Sequence, residues 1–353
     1  MKYEIEKRLL DMIPYKPIEG EFKVRLDANE SFFSIPDNIL KEFESSLKDI
    51  DFNRYPDPYS KEVCYRFARS KDIDVDSVIA GNGSDELINL IIQVFLKDGD
   101  KVLTLAPDFS MYRFYSDLRR AEVISVNNPY DEPIDVYALI QAIEESKPKI
   151  VIFSNPCNPT GQVISRDNII KLLQKCPNIL FVVDEAYMDF SDQSILNIAK
   201  DFSNVIVLRT MSKAFAAASI RLGFAVSNRE LISTMKKVKA PYNINSVTQK
   251  FGSILLSHSE ENKQRIEKII RMRDNLYAGL QRYTDEIKVF PSGGNFIYVS
   301  TIRAKEIYDK LLSDGIAIRY FNNNTLRISA GNEEEQSALF SSLDNIFKNR
   351  GEK

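Results

Sequence analysis

Short apolar runs and longer amphipathic ones alternate through the middle of the chain. KVLTLAP (101–107), KIVIFSNP (149–156), ILFVVDEAY (179–187), NVIVLRT (204–210) and LGFAVS (222–227) are rich in Val and Ile and almost continuously apolar. Such runs predict strands buried on both faces. Between them, ELINLIIQVFLK follows GNGSD and SRDNIIKLLQKC follows NPTG, each with apolar positions at helical spacing. Strands separated by helices predict an α/β domain with a mostly parallel, doubly wound sheet. Past about residue 245 the texture changes to a long polar helical stretch (roughly 246–283), then KVFPSGGNFIYVS, AKEIYDKLLSDG, IAIRY and LRISAG. That order predicts a smaller α+β domain, joined by the N-terminal fifty residues. The expected division is 1–50 as an arm and part of the small domain, 51–245 as the large domain and 246–353 as the rest of the small one.

Composition narrows the chemistry. The 353 residues, 44% hydrophobic and 27% charged, are those of a globular chain with room for about two domains. A net charge of −3 gives no electrostatic grip on nucleic acid or an anionic membrane. The single histidine, His258, lies in the polar LLSHSEENK, where it reads as a loop or helix residue. One histidine cannot build a multi-histidine metal site, and most hydrolytic triads would depend on it alone. No metal site is expected. Cys64, Cys157 and Cys176 lack metal-like spacing and read as free thiols of a reducing compartment. With no signal-like or membrane-spanning run, the expectation is a soluble, cytoplasmic protein.

The polar clusters follow the apolar runs directly, where open α/β sheets bind their ligands. GNGSDE (81–86) precedes an apolar helix, and Gly81, Gly83, Ser84 and Asp85 suit a turn and cap whose free N–H groups could hold a phosphate. Alone it reads as a capped helix after a glycine turn. Asp184 ends the buried VVDEAY run, a costly place for a carboxylate without a cation; alone it reads as an ion pair or cap. NPCNPTG (155–161) alone is a turn, and Lys213 in RTMSKAF alone is a solvated surface group. Arg221 lies eight residues further on. Together they supply an amine, a buried carboxylate, a phenol, an amide, a phosphate cradle and a guanidinium. That is the inventory of a pyridoxal phosphate site, where a lysine forms a Schiff base and a carboxylate keeps the pyridine nitrogen protonated.

LDANES, RYPD, GNGSDE, PDFSMY, NPCNPTG, VVDEAYMDF, RTMSKAF with RLGF, PYNIN, GGNF and LRIS occur in this order between about residues 26 and 331. In this ordered set the chain resembles the histidinol-phosphate aminotransferases, which are fold-type I pyridoxal-phosphate enzymes. The resemblance implies that Lys213 is the Schiff-base lysine and proton carrier and that Asp184 pairs with the pyridine nitrogen. It implies that Asn158 and Tyr187 contact the ring oxygen and that Phe109 stacks on the ring. Gly83, Ser84, Asp85, Thr210, Ser212 and Arg221 fall at the phosphate and its surroundings. Tyr55 in RYPD corresponds to a residue reaching the partner subunit's cofactor, which implies a homodimer. Arg327, Arg319, Tyr15 and Asn29 correspond to the substrate-contacting region. The chain departs from the family at Phe109, where Tyr is frequent, in SFFSIP after LDANE, and in the short spacing from Arg319 to Arg327.

The implied reaction interconverts L-histidinol phosphate and 2-oxoglutarate with imidazole-acetol phosphate and glutamate, within histidine biosynthesis. Its partners are a small-molecule amino donor and a 2-oxo acid. An aromatic amino-acid aminotransferase and a threonine-phosphate decarboxylase share most of these motifs and are the alternatives within the fold. A catalytically silent binding module is the alternative outside enzymology, and retention of Lys213 argues against it.

Overall fold

The structure is a computed structural model that describes residues 3–14 and 16–348. In chain order its strands are β1 (Val24–Leu26), β2 (Val78–Asn82), β3 (Lys101–Ala106), β4 (Glu122–Asn127), β5 (Ile150–Ser154), β6 (Leu180–Asp184), β7 (Val205–Thr210), β8 (Leu222–Val226), β9 (Lys288–Phe290), β10 (Phe296–Ser300), β11 (Ile316–Phe321) and β12 (Thr325–Ser329). Seven of them form one sheet in the order β2-β8-β7-β6-β5-β3-β4, and five form a second in the order β1-β11-β12-β10-β9.

In the large sheet only β8 runs against its neighbours. The expected strands are all present. Two more, β2 and β4, escaped the apolar-run criterion: β2 ends in Ala-Gly-Asn, and β4 is a half-exposed edge strand whose polar residues interrupt the pattern. Every residue of β5 and β7 is buried. Successive side chains go to opposite faces, so Val151 and Phe153 join one apolar cluster while Ile150 and Ile152 join another. The first face is covered by Val136–Ser146, Arg166–Lys175 and Lys61–Ser70, the second by Gly83–Phe95 and Arg229–Val238. Each fully buried aliphatic side chain contributes roughly 1.5–3 kcal/mol. Side-chain caps fix where several helices begin: Ser165, Asn228 and Asn245 accept from the backbone N–H groups of Asn168, Leu231 and Thr248.

In the small sheet β1 lies parallel to β11, so Val24–Leu26 is an edge strand beside the C-terminal strands. The packing divides elsewhere than at residues 50 and 245. Ile39, Phe251, Ile254 and Leu255 all belong to the large core. The helix Ser259–Leu280 passes between the cores, giving Ile269 to the large one and Leu276 and Leu280 to the small one. The stretch expected as one helix over 246–283 is two, Ser246–Ser257 and Ser259–Leu280, parted at His258. There the Asn262 amide donates to the Leu255 carbonyl at 2.7 Å, and His258 Nε2 lies 2.8 Å from Glu42. GNEEEQS starts a helix through a reciprocal pair, in which Asn332 Oδ1 accepts the Glu335 N–H and Glu335 Oε2 accepts the Asn332 N–H.

Candidate active site

The carboxyl ends of β2, β3, β5, β6 and β7 open into a cleft of about 640 Å³, roofed by the chain that leaves β1. That size suits a small organic ligand. Ser84, Asp85, Phe109, Asn158, Asp184, Tyr187, Thr210, Ser212, Lys213 and Arg221 all line it.

At the end of β7, Thr210 Oγ1 donates to Ser212 Oγ at 3.0 Å, and Arg221 Nη1 donates to the same oxygen at 3.3 Å. Arg221 has a left-handed backbone (φ 52°) that turns its guanidinium back toward Gly83, the first residue of the Gly83–Phe95 helix. Gly83 has φ +76°, and a Cβ there would lie 2.6 Å from Arg221 Nη2. From the other side, a Cβ on Gly223 would lie 2.5 Å from Gly83 C and Ser84 N. Two glycines thus seat a helix N-terminus against a guanidinium and two hydroxyls. Free N–H groups, a helix dipole and a fixed cation together favour a phosphate.

Asp184 closes β6 and is 3% exposed. Its Oδ2 accepts from the Tyr112 hydroxyl at 2.9 Å and its Oδ1 from the Ala186 N–H at 3.0 Å. Burial raises its carboxyl to about 6, against these two hydrogen bonds and with help from Asp85 and Glu185. A cation beside it would reverse that shift. Lys213 extends its Nζ across the cleft to the Ala28 carbonyl at 2.8 Å, 5.9 Å from the centroid of the Tyr187 ring.

The roof comes from the small sheet. Asn29, at φ 53° and fully buried, donates to the Tyr187 hydroxyl at 3.0 Å and is held by Ser329 and Asn295. Arg327 in β12 donates Nη1 to Asn158 Oδ1 and Nη2 to the Asp27 carbonyl. Arg319 stands directly opposite Arg327 in the antiparallel β11–β12 pair, so the short sequence spacing still brings the two to one face. Tyr55 is not in this cleft: it is 81% exposed, stacks on Tyr242 at 4.6 Å and lines a separate cavity with Arg54 and Asp57. Tyr15 lies outside the described residues.

Sequence reasoning missed Tyr112, Asp108, Ser154, Gly223 and Ser329. Tyr112 was within reach, since it lies one helical turn beyond Phe109 in PDFSMY. A buried network beneath the cleft was missed as well. Arg209 ion-pairs with Glu185 at 3.1 Å and with Asp189 at 3.2 Å, and Lys71 donates to Asp189 at 2.7 Å. Burial acts to raise the Asp189 carboxyl, but Lys71 and Arg209 hold it down to about 2. This network ties the residue after Asp184 to the residue before Thr210.

The donor set fits pyridoxal 5'-phosphate: a glycine-seated anion cradle at one end, a buried carboxylate in need of a cation at another, and an amine on the open side. Comparison with known proteins agrees. The sequence model of aminotransferase class I and II matches residues 21–343. The chain is 37% identical over 347 residues to a histidinol-phosphate aminotransferase of Clostridium kluyveri, covering 97% of this chain and 98% of that one. It is 40% identical over 333 residues to that of Clostridium novyi, covering 93% of each. The histidinol-phosphate aminotransferase of Sinorhizobium meliloti, solved with pyridoxal-5'-phosphate, superposes with a TM-score of 0.89 over 99% of both chains at 22% identity, a likeness of fold. The chain belongs to the aminotransferase class I and II family.

Proposed function

We propose that this chain is a pyridoxal-phosphate-dependent histidinol-phosphate aminotransferase of histidine biosynthesis, interconverting L-histidinol phosphate and 2-oxoglutarate with imidazole-acetol phosphate and L-glutamate. The observation that carries the reading is one cleft uniting Lys213, Asp184 and the Gly83–Arg221 cradle. The named relatives at 37–40% identity over nearly the whole chain support the substrate.

When bound, pyridoxal phosphate supplies an aldehyde carbon and an electron-withdrawing pyridinium ring. Ser84, Thr210, Ser212, Arg221 and the N–H groups at Gly83 hold the phosphate. Asp184 would keep a proton on the ring nitrogen, and Phe109 would stack on the ring. Asn158 and Tyr187 would hydrogen-bond the ring oxygen. Lys213 Nζ is the group that takes the proton from the substrate Cα and returns it on the other side of the exchange. Arg327 fixes the anionic end of each substrate, its planar guanidinium suiting carboxylate and phosphate alike, with Arg319 beside it.

Tyr55 acts across a homodimer in this reading, in keeping with its exposure and its distance from the chain's own cleft residues. Sedimentation of an active monomer would remove that part. No helix among the described residues is long and apolar enough to cross a membrane. We place the protein in the cytoplasm, a reading supported by three buried, unpaired cysteines.

The test is a half-reaction. Protein loaded with pyridoxal phosphate is mixed separately with L-histidinol phosphate, phenylalanine and threonine phosphate while the visible band of the bound cofactor is followed. Rapid loss of the band with histidinol phosphate alone supports the reading. Loss mainly with phenylalanine reassigns the enzyme to aromatic amino acids, and release of CO₂ from threonine phosphate makes it a decarboxylase.

A further inference from the structure

Asp108 lies one residue before Phe109, in the loop that leaves β3, and both oxygens of its carboxylate are used. Oδ1 accepts the Phe109 N–H at 2.7 Å and also the Ser154 hydroxyl; Oδ2 accepts the Ser154 N–H at 3.0 Å. Ser154 Oγ in turn accepts the Asn158 N–H at 2.9 Å. The neighbouring Cys157 thiol reaches the Pro107 carbonyl at 3.5 Å, a second tie between the same two loops. One carboxylate therefore joins the residue at the ring-stacking position to the residue facing the ring oxygen.

We infer that Asp108 is a positioning residue that holds Phe109 and Asn158 in fixed relation across the cleft. This rests on the cofactor reading above. The chemistry of the side chain explains the choice. Three donors converge on two oxygens, and only an acceptor-only group serves all of them. An asparagine could serve Phe109 and the Ser154 hydroxyl through its oxygen, but its NH₂ would then meet the Ser154 N–H. The ionisable groups facing Asp108 are Asp184, Tyr112 and Cys157, none of them a cation. Burial pushes the Asp108 carboxyl up to about 7, against its three hydrogen bonds and with help from Asp184. Above that value the carboxylate is ionised and accepts from all three donors at once.

The experiment compares the full-length wild type with Asp108→Asn, Ser154→Ala and the double variant. Three quantities are measured near pH 8: the dissociation constant of pyridoxal phosphate, the visible circular dichroism per bound cofactor, and the melting temperature without cofactor. Each single variant should weaken cofactor binding roughly tenfold, the worth of about one hydrogen bond, and reduce the dichroism. The double variant should be little worse than the weaker single, because both cut the same chain. Unloaded Asp108→Asn loses a buried charge but sets an NH₂ against the Ser154 N–H, so its melting temperature should stay near that of wild type. Wild-type affinity and dichroism in Asp108→Asn would overturn the inference, as would multiplicative losses in the double variant. A loss of affinity that only tracks a lower melting temperature would reduce Asp108 to a structural residue and overturn it too. A wild type that fails to bind pyridoxal phosphate sinks the proposed function itself, an outcome distinct from the others.

Discussion

Tyr112 donates its hydroxyl to Asp184 Oδ2 at 2.9 Å from the helix Met111–Leu118, so the carboxylate at the end of β6 is aimed by a residue that follows β3. Burial, with Asp184 and Asp108 nearby, keeps the Tyr112 phenol protonated and hence a donor. Tyr112→Phe removes the donor and leaves Oδ2 buried without it. We expect about 1–3 kcal/mol less stability in the loaded protein and weaker cofactor binding. Denaturant unfolding with and without pyridoxal phosphate measures both, and a neutral effect would show that the bond does not orient Asp184.

Lys213→Ala should abolish transamination, with kcat falling by at least the roughly 10²–10⁴-fold that a positioned acid–base group contributes. In the structure the Lys213 amine donates to the Ala28 carbonyl across the cleft. The unloaded variant should therefore remain folded, and unchanged far-UV circular dichroism checks that. Substantial turnover in this variant would sink the assigned role.

Arg327 and Arg319 should separate by substrate in the proposed reaction. Arg327 is 8% exposed and donates to the Asp27 carbonyl at 2.7 Å and to Asn158. Arg327→Lys keeps the charge but loses the planar fork, and should raise KM roughly tenfold or more for glutamate and histidinol phosphate alike. Arg319→Ala should raise KM for histidinol phosphate while leaving that for glutamate near wild type. Equal effects on both substrates would remove Arg319 as the phosphate-selective partner.

The sequence was most legible where one physical rule acted alone. The continuous apolar runs of β5, β6 and β7 could only be doubly covered strands, and the polar clusters at their ends fell at the cleft as open-sheet geometry requires. It was least legible where partners lie far apart in the chain. Asp108 and Ser154 are 46 residues apart, Arg8 and the Asp117 carbonyl 109, and Asn29 and Ser329 300. No local pattern announces such pairs. The break at His258 had a local hint in Ser257 and Ser259 on either side of it, but the contacts that hold it come from Asn262 and the distant Glu42.

Gly223, the glycine of RLGF, carries a prediction through its close packing. A Cβ there would meet Gly83 C and Ser84 N at 2.5 Å and the Arg209 carbonyl at 3.0 Å, all of them backbone atoms that cannot rotate away. Gly223→Ala should cost about 1–3 kcal/mol through overpacking. It should also push the helix start out of the cradle, so that affinity for inorganic phosphate falls along with that for pyridoxal phosphate. Competition between the two ligands in wild type and variant measures this. A stable variant with unchanged affinity would mean that β8 moves freely relative to the helix.

Asp184 also gives the unloaded protein a pH dependence with a definite sign. Its carboxyl ordinarily titrates near 3.8 and is raised to about 6 by burial, so between those values the folded state binds more protons than the unfolded one. Stability contributed by that proton is complete below about pH 4 and is lost as the pH rises through about 6. The shift corresponds to roughly 3 kcal/mol. Asp184→Asn removes it, so the variant's stability relative to unloaded wild type should increase from pH 4 to pH 7. A cation held beside Asp184 favours the ionised carboxylate, so pyridoxal phosphate should restore wild-type stability at the upper end of this range and do less for the variant. Unfolding titrations at four or five pH values, with and without cofactor, test both arms. A flat difference between variant and wild type would place the Asp184 carboxyl near its ordinary value, and equal stabilisation of the two by cofactor would separate Asp184 from the ring nitrogen.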